Sequence, residues 1–520
     1  GCLGGFAMSN LLFWQESVGF PILSLLGFLP LFSGGVLFLL RPSLRLELAI
    51  GVACFNLAVC AYLLMSFVTD SSSIQMVEAC DVGGFEYRVG VDGTNVLFLP
   101  LTALLGLLAL IYTSITRHKN DSVFIACLLV YQGVLMEAFV ALNTLQFWFW
   151  SAMEVIPVMI LTLSAGTGVL RNRVIRIVLQ YWLSGLLMSL AGFLLLSFGL
   201  QTGAQDLSFD WIFLRQHDLP IQHESLIFIL LMFAFSIRMP LFPFHAWLPV
   251  LAEHGTAASV AIFITGLKLG IYAVIRFILP LVPAAAEQWE LLVVSLGLIA
   301  IFYGALLALM QINIRRLMAF AVVSQTGMLI IGVFSFNDFA LEGSILLSVA
   351  YGLATAGMLF SIGLIYERTR TSYLPRLGAL FDTNTTIALL FMMSALSTMV
   401  MPGTPGFDAA HLLIEGSIEE HGWLIAIAIL LGNVVAAGFL LWAFQRLFIT
   451  QQRRAIRPSG SIDHPVIQER IIAVVICGIL LATGFYTTPW LRFIDQEASE
   501  IGERYVRHHS SHSNGGLHEL

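Results

Sequence analysis

The chain has 520 residues, of which 58% are hydrophobic and 11% charged, with a mean hydropathy of +0.88. A soluble domain carries about 25% charged residues, so this chain cannot clothe itself in polar surface and takes the lipid bilayer as its solvent. A formal charge of −7 and a pI near 5.9 leave no basic footprint for nucleic acid.

A membrane helix needs about 20 apolar residues. In chain order the apolar runs predict spans near 20–40, 47–68, 94–115, 123–142, 147–169, 175–199, 225–243, 256–278, 290–311, 316–336, 343–366, 386–412, 423–448 and 467–487. The fold class is therefore an all-α polytopic membrane protein of about fourteen transmembrane helices. No segment reads as a separate soluble domain. The longest polar stretches are 69–93, 203–224, 449–466 and a tail from 492, whose His508, His509, His512 and His518 read as a disordered terminus rather than a metal site.

Charge tests this count. Arginines mark the loops after the odd spans: Arg41 and Arg45, Arg117 with Lys119, Arg171 to Arg176, Arg315 and Arg316, Arg368 to Arg376, and Arg453 to Arg457. Acids mark alternate loops: Asp70, Asp81 and Asp92; Asp206, Asp210 and Asp218; Glu287; Asp338 and Glu342; Glu419 and Glu420. By the positive-inside rule the arginine loops are cytoplasmic. The expected setting is a bacterial inner membrane, or an equivalent energy-converting membrane, with both termini on the non-cytoplasmic side.

The six cysteines (Cys2, Cys54, Cys60, Cys80, Cys127 and Cys477) form no C-x-x-C pair, and no iron–sulfur or structural zinc spacing is present. No cofactor is expected in this chain, and redox chemistry belongs to another subunit. No basic stretch precedes the first apolar run, so no cleavable signal peptide is expected; Cys2 lacks the upstream segment of a lipoprotein site.

Ionisable groups inside a bilayer are costly and mark function by default. Span 5 holds Glu154. Span 7 ends on Arg238 and runs into Pro240, Pro243, His245, Trp247 and Pro249. Prolines at that density break a helix, and broken helices at membrane depth line cavities or lie buried in protein. Span 8 holds Lys268, one of only two lysines in the chain. Arginine keeps its proton, whereas a buried lysine can lose one. After the breaker Pro402, Gly403, Thr404, Pro405, Gly406 come Asp408, His411 and Glu415, spaced to share one helix face. Glu137 is a further acid among apolar residues of span 4, near an interface. Together these groups suit a relay in which protons pass by exchange of charge partners. The static alternatives are a fixed Glu154–Arg238 ion pair, a snorkelling Lys268, and an Asp408/His411/Glu415 cluster at the membrane surface; a metal there needs one more ligand.

The motif RMPLFPFHAWLP from Arg238 to Pro249, with TAASV from Thr256 and KLGIYAVIRF from Lys268, resembles the antiporter-like subunits of respiratory complex I, especially the ND4 type, and the large subunits of Mrp-type cation/proton antiporters. The likeness continues through RRLMAF from Arg315, SQTG from Ser324, YERT from Tyr366 and MPG from Met401, and covers about 145 to 445.

The resemblance implies two inverted five-helix repeats, each with a broken helix (spans 7 and 12), and a mid-membrane row of Glu, Lys, His and Lys/Glu carrying protons. It divides the chain into N-terminal transmembrane helices (1–115), a first repeat (116–278), a second repeat (279–448), and a C-terminal helix with a polar tail (449–520). The proton-transfer candidates are Glu154, Arg238, His245, Lys268 and His411, with Glu137, Gln325, Tyr351, Asp408 and Glu415 as accessories.

Several positions depart from the family pattern. Arg238 stands where lysine is usual. Glu154 is three residues before Pro157 rather than five, where Ala152 stands. Gln325 and Tyr351 replace histidines, and Ala410 takes the place of an acid or lysine beside His411. Lys268 matches.

The leading reading is a proton-translocating membrane subunit of a multisubunit complex of the NADH dehydrogenase or cation/proton antiporter kind. Its partners are other membrane subunits, the lipid bilayer and a soluble redox module. A subunit of an inorganic-carbon uptake complex, paired with a carbonic-anhydrase-like protein, is the second reading. A structural subunit with an inactive channel is the third.

Overall fold

A computed structural model describes Leu12, Phe13 and residues 20–515, apart from 40, 72, 83–84, 117, 119–120, 166–170, 200–207, 217–220, 256, 382–383 and 451–465. Lys119, Thr256 and His518 lie outside the described residues, as do the side chains of the other tail histidines.

Each expected span coincides with helix. These are α1 (Ile22–Val36), α2 (Pro42–Ser66), α3 (Phe98–Thr113), α4 (Ser122–Val140), α5 (Thr144–Met153) continued by α6 (Val155–Ala165), α7 (Arg171–Gly199), and, after the short α8 (Trp211–Gln216), α9 (Ile221–Arg238) and α10 (Trp247–His254). Then come α11 (Ala257–Ala273, extended by the π-helical Val274–Ile278), α12 (Glu290–Leu309), α13 (Ile314–Val333), α14 (Asp338–Thr369), α15 (Thr385–Thr398), α16 (Pro405–His421), α17 (Trp423–Phe444), α18 (Ile467–Phe485) and α19 (Asp495–Gly515). Among the described residues, eleven helices are long and apolar enough to cross a membrane, and Phe98–Thr113 and Thr385–Thr398 are shorter apolar helices. Side-chain caps set several starts. Asp121 accepts from the amides of Val123 and Phe124, and Asn143, Asn313 and Asn337 cap α5, α13 and α14. Each such cap satisfies an amide the helix leaves free and is worth about 1 kcal/mol.

Both expected breaks are present. The chain leaves α9 at Arg238, turns through the proline-rich stretch, and resumes helix at Trp247. It leaves α15 at Thr398 and resumes at Pro405, with Gly403 at φ +85° in the left-handed region that glycine tolerates. A third, milder interruption falls at Glu154, between α5 and α6. Pro157 has no amide hydrogen to donate one turn back, so the ladder loosens there.

Two polar stretches differ from expectation. Residues 74–91 form a hairpin, β2 (Ile74–Val82) and β3 (Phe85–Val91), with β1 (Leu12–Phe13) parallel to β2. Within the tail, Asp495–Gly515 is helical as α19, where the sequence predicts an unstructured terminus. It is held because Tyr505 Oη donates to the Leu279 carbonyl (2.9 Å) and Arg215 pairs with Glu497 (3.8 Å) and Glu500. The hairpin, α8 and α19 meet at one end of the helices, where Arg88 pairs with Asp210 and Arg215 with Glu500.

α11, α13 and α14 are almost wholly buried among the other helices. α1, α2, α17 and α18 turn large apolar side chains outward, such as Met65, Leu424, Val434 and Val474.

Candidate functional site

Glu154, between α5 and α6, and Arg238 of α9 meet inside the bundle. Glu154 is fully buried and pairs with Arg238, the last residue of α9. Tyr131 of α4 donates from its hydroxyl to Glu154 Oε1 at 2.8 Å. The Arg238 guanidinium lies over the Trp182 ring, 4.7 Å from its centroid, so an aromatic face holds the side of the cation that the carboxylate does not. A cavity of about 40 Å³ adjoins Arg238, lined also by Ser151, Trp182 and Ser189.

Gly266 of α11 packs against this cluster. A Cβ there would overlap the Tyr131 hydroxyl and stand 2.6 Å from Glu154 Oε1. Glycine lets the helix that bears Lys268 press directly on the acid. Lys268, two residues on and about halfway along α11, is 3% exposed. Its Nζ lies 5.9 Å from the centroid of the Tyr351 ring on α14. It makes no ion pair or hydrogen bond among the described residues. A lysine this deep does not snorkel.

The row continues into the second half. Tyr351 donates to Met328 Sδ (3.3 Å), and Thr355 Oγ1 donates to Gln325 Oε1 (3.3 Å). Gln325, Tyr351, Ser324, Thr398 and Asn433 line a cavity of about 20 Å³, room for a water, which needs about 10–15 Å³. His245 is buried in the first break, packed on Phe242 (5.9 Å), Tyr303 (5.1 Å) and Phe320 (6.2 Å), with Nδ1 unpartnered among the described residues. It joins the first half to α12 and α13.

Other candidates lie elsewhere. Asp408, His411 and Glu415 do share a face of α16, with His411 Nε2 and Glu415 Oε2 4.0 Å apart. That face points out of the chain: the His411 and Glu415 side chains are 74% and 53% exposed. Asp408 accepts from Thr487 Oγ1 at 2.5 Å. The opposite face, with Ala409, Leu413 and Gly416, packs on Gly343 and Ala340 of α14, because small residues on both helices permit the closer approach. His411, a proton-transfer candidate from the sequence, thus stands on an exposed face apart from the buried groups. Glu137 is fully buried but joined to Tyr87 of the hairpin (3.1 Å), not to Glu154.

Sequence reasoning missed Tyr131 and Trp182, neutral aromatic side chains in apolar runs. It also missed the charge network at the hairpin end. There Arg276 of the π-helical stretch pairs with Asp92 and stacks on Trp211 (3.9 Å), beside Glu497, Arg215 and Glu500. Glu497 is a third acid against two guanidiniums that already have partners. Burial first, then the Asp92 charge, push its carboxyl up to about 8.

A family profile described as the NADH:quinone oxidoreductase/Mrp antiporter transmembrane region matches residues 141–436. The chain belongs to this family. Within it, chain 4 of the NADH-ubiquinone oxidoreductase of Chondrus crispus is 30% identical over 78% of this chain and 81% of its own. Subunit M of the NADH-quinone oxidoreductase of Rickettsia conorii is 28% identical over 82% of this chain and 88% of its own. Among solved structures, a chain of respiratory complex I from Thermus thermophilus superposes with a TM-score of 0.83 at 25% identity, covering 92% of this chain and 99% of that one. A chain of the Mrp complex from Dietzia sp. DQ12-45-1b superposes with a TM-score of 0.82 at 20% identity, covering 93% and 98%; this second likeness bears on the fold alone. The chain is thus an antiporter-like, multi-pass membrane subunit, and the structures it resembles are chains of multisubunit membrane complexes.

Proposed function

We propose that this antiporter-like subunit carries protons along the row Glu154, Lys268, Tyr351, Gln325, within a larger complex of an energy-converting membrane. The single observation that carries the reading is Lys268: a titratable ammonium, buried midway along a central helix, beside the Tyr351 ring and on the same helix whose Gly266 packs on Glu154. Its neutral form needs no counter-ion; its charged form is drawn toward Glu154 whenever Arg238 releases that acid. Arg238 itself keeps its proton, so it serves as a fixed charge that Glu154 binds or leaves. His245 supplies a proton-accepting ring between the two halves. No residue of the row holds a cofactor in this reading; the driving chemistry belongs to partner subunits, with a soluble redox module the kind that fits the complex I relatives.

The positive-inside rule sets the arginine loops in the cytoplasm and the hairpin, α19 and both ends of the chain on the other side, in a bacterial inner membrane. The Chondrus and Rickettsia likenesses favour this reading over inorganic-carbon uptake. Proton translocation by the complete complex in liposomes tests it: Lys268→Ala is expected to cut flux by about a hundredfold, the scale of a positioned proton-transfer group. Wild-type flux in that variant sinks the proposal and leaves a structural subunit. Proteins that copurify in mild detergent identify the partner: flavin or iron–sulfur subunits, or sister antiporter-like chains, agree with the reading, and a carbonic-anhydrase-like protein alone contradicts it.

A further inference from the structure

Four side chains link a buried acid to the hairpin end of the molecule. Tyr87 Oη lies 3.1 Å from Glu137 Oε2 and 3.0 Å from Ser24 Oγ; Ser24 Oγ lies 2.5 Å from Glu78 Oε2. Glu137, on α4, is fully buried, and no cation is among its partners in the described residues. Its other oxygen, Oε1, has no hydrogen-bond partner among the described residues. Glu78, on β2, is half-buried at the surface beside the exposed Ala79 and Cys80. Its carboxylate accepts from the amides of Leu23 (2.6 Å) and Ser24 (3.0 Å), at the positive end of the α1 dipole.

We propose that Glu137, Tyr87, Ser24 and Glu78 form a proton wire joining the membrane interior to the solvent at the hairpin face. This deepens the proton-transport reading above and rests on it. Capping of α1 by Glu78 needs only the two amide bonds; it gives no reason for a tyrosine hydroxyl and a second, buried acid in the same chain. The hydrogen-bond directions decide what the chain can do. Tyr87 and Ser24 have one hydroxyl hydrogen each. With Glu137 protonated, every link is filled in one sense: Glu137 donates to Tyr87, Tyr87 to Ser24, and Ser24 to the Glu78 carboxylate.

A concerted shift breaks the O–H bond at each donor and forms one at each acceptor. Both hydroxyls end neutral, Glu137 becomes a carboxylate, and Glu78 gains one proton, which solvent removes. Reversal loads Glu137 from outside. Neither direction needs an oxidant or a reductant. On the inner side, a Cβ at Gly27 would collide with the Glu137 carboxyl, so glycine there makes room for it. Six residues earlier on α4, about 9 Å along the axis, stands Tyr131, bonded to Glu154. Between them Gln132 is fully buried with both amide atoms unpartnered among the described residues. One helix therefore spans from the wire to the row.

Infrared spectroscopy of the complete complex tests this. The band of a protonated carboxyl that disappears in Glu137→Gln is assigned to Glu137, and its exchange is timed after transfer to heavy water. The wire predicts fast exchange in the wild type, slowed about a hundredfold in Tyr87→Phe and in Ser24→Ala, and unchanged in Lys268→Ala. A loosened fold would speed exchange, so slowing cannot come from damage. Wild-type exchange in Tyr87→Phe, or no band lost in Glu137→Gln, overturns the wire. Proton flux in Lys268→Ala, measured on the same preparations, decides the row separately.

Discussion

Arg238 ends α9 and Glu154 lies between α5 and α6, so their ion pair joins two helix interruptions inside the bundle. Each partner sits at an interruption of its own helix, one at Pro157 and one at the proline-rich stretch after Arg238. Removing one charge strands the other. Arg238→Ala should destabilise the subunit by about 3–5 kcal/mol, read as a lower melting temperature of the purified complex. Arg238→Ala with Glu154→Gln removes both charges and should recover most of that loss. An unchanged melting temperature in Arg238→Ala contradicts the pairing.

Gly266 lets α11, the helix that bears Lys268, pack directly on the Glu154 cluster. Gly266→Ala introduces a methyl group against the Tyr131 hydroxyl and Glu154 Oε1. Overpacking of this kind costs about 1–3 kcal/mol, and here it pushes α11 off the acid. The expected outcome is an assembled complex with proton flux well below wild type. Full flux in Gly266→Ala means the contact does not matter to transport.

His411 and Glu415 face out of the chain, away from the row. His411→Ala should change stability by no more than about 0.5 kcal/mol, as at other exposed sites, and should leave proton flux at the wild-type level. A loss of flux comparable to that of a Lys268 variant places His411 back in the path.

Glu497 ties α19 to the hairpin end, facing Arg215, Arg276, Asp92 and Glu500. Burial raises its carboxyl from the usual 4.5 to about 8. A raised acid favours the folded, protonated form. Its contribution is fully present below about 4.5, falls as pH rises, and is gone above about 8. Hydrogen exchange of the α19 amides should therefore quicken, beyond its intrinsic pH dependence, between those limits. Glu497→Gln should remove the excess and keep α19 docked at alkaline pH. An identical profile in the variant excludes Glu497 as the cause.

Much of the fold was legible because lipid imposes a simple length rule, and a charge within an apolar run needs no tertiary information to be noticed. Lys268, Glu154 and Arg238 stand out on that basis, and the two proline-rich breaks follow from missing amide hydrogens. Neutral partners are different. Tyr131, Trp182 and Tyr87 look like any aromatic residue of an apolar or alternating run until the fold brings a carboxyl or a guanidinium to them. The 3,4 spacing of Asp408, His411 and Glu415 establishes a shared face but not its direction; Gly343, Ala340 and Gly416 decide that by packing. The strands Ile74–Val82 and Phe85–Val91 are not legible in the sequence because their polar residues hide the alternation. The helical tail owes its order to Arg215 and the Leu279 carbonyl, groups distant in sequence.

The central claim is that Lys268 gives up and regains a proton, rather than merely holding a charge. Lys268→Arg separates the two, because arginine keeps the charge but releases no proton. Proton translocation by the reconstituted complex, per turnover of its driving reaction, is the measurement. The account predicts that Lys268→Arg assembles normally and moves protons no better than Lys268→Ala. Wild-type translocation with arginine at 268 would contradict it.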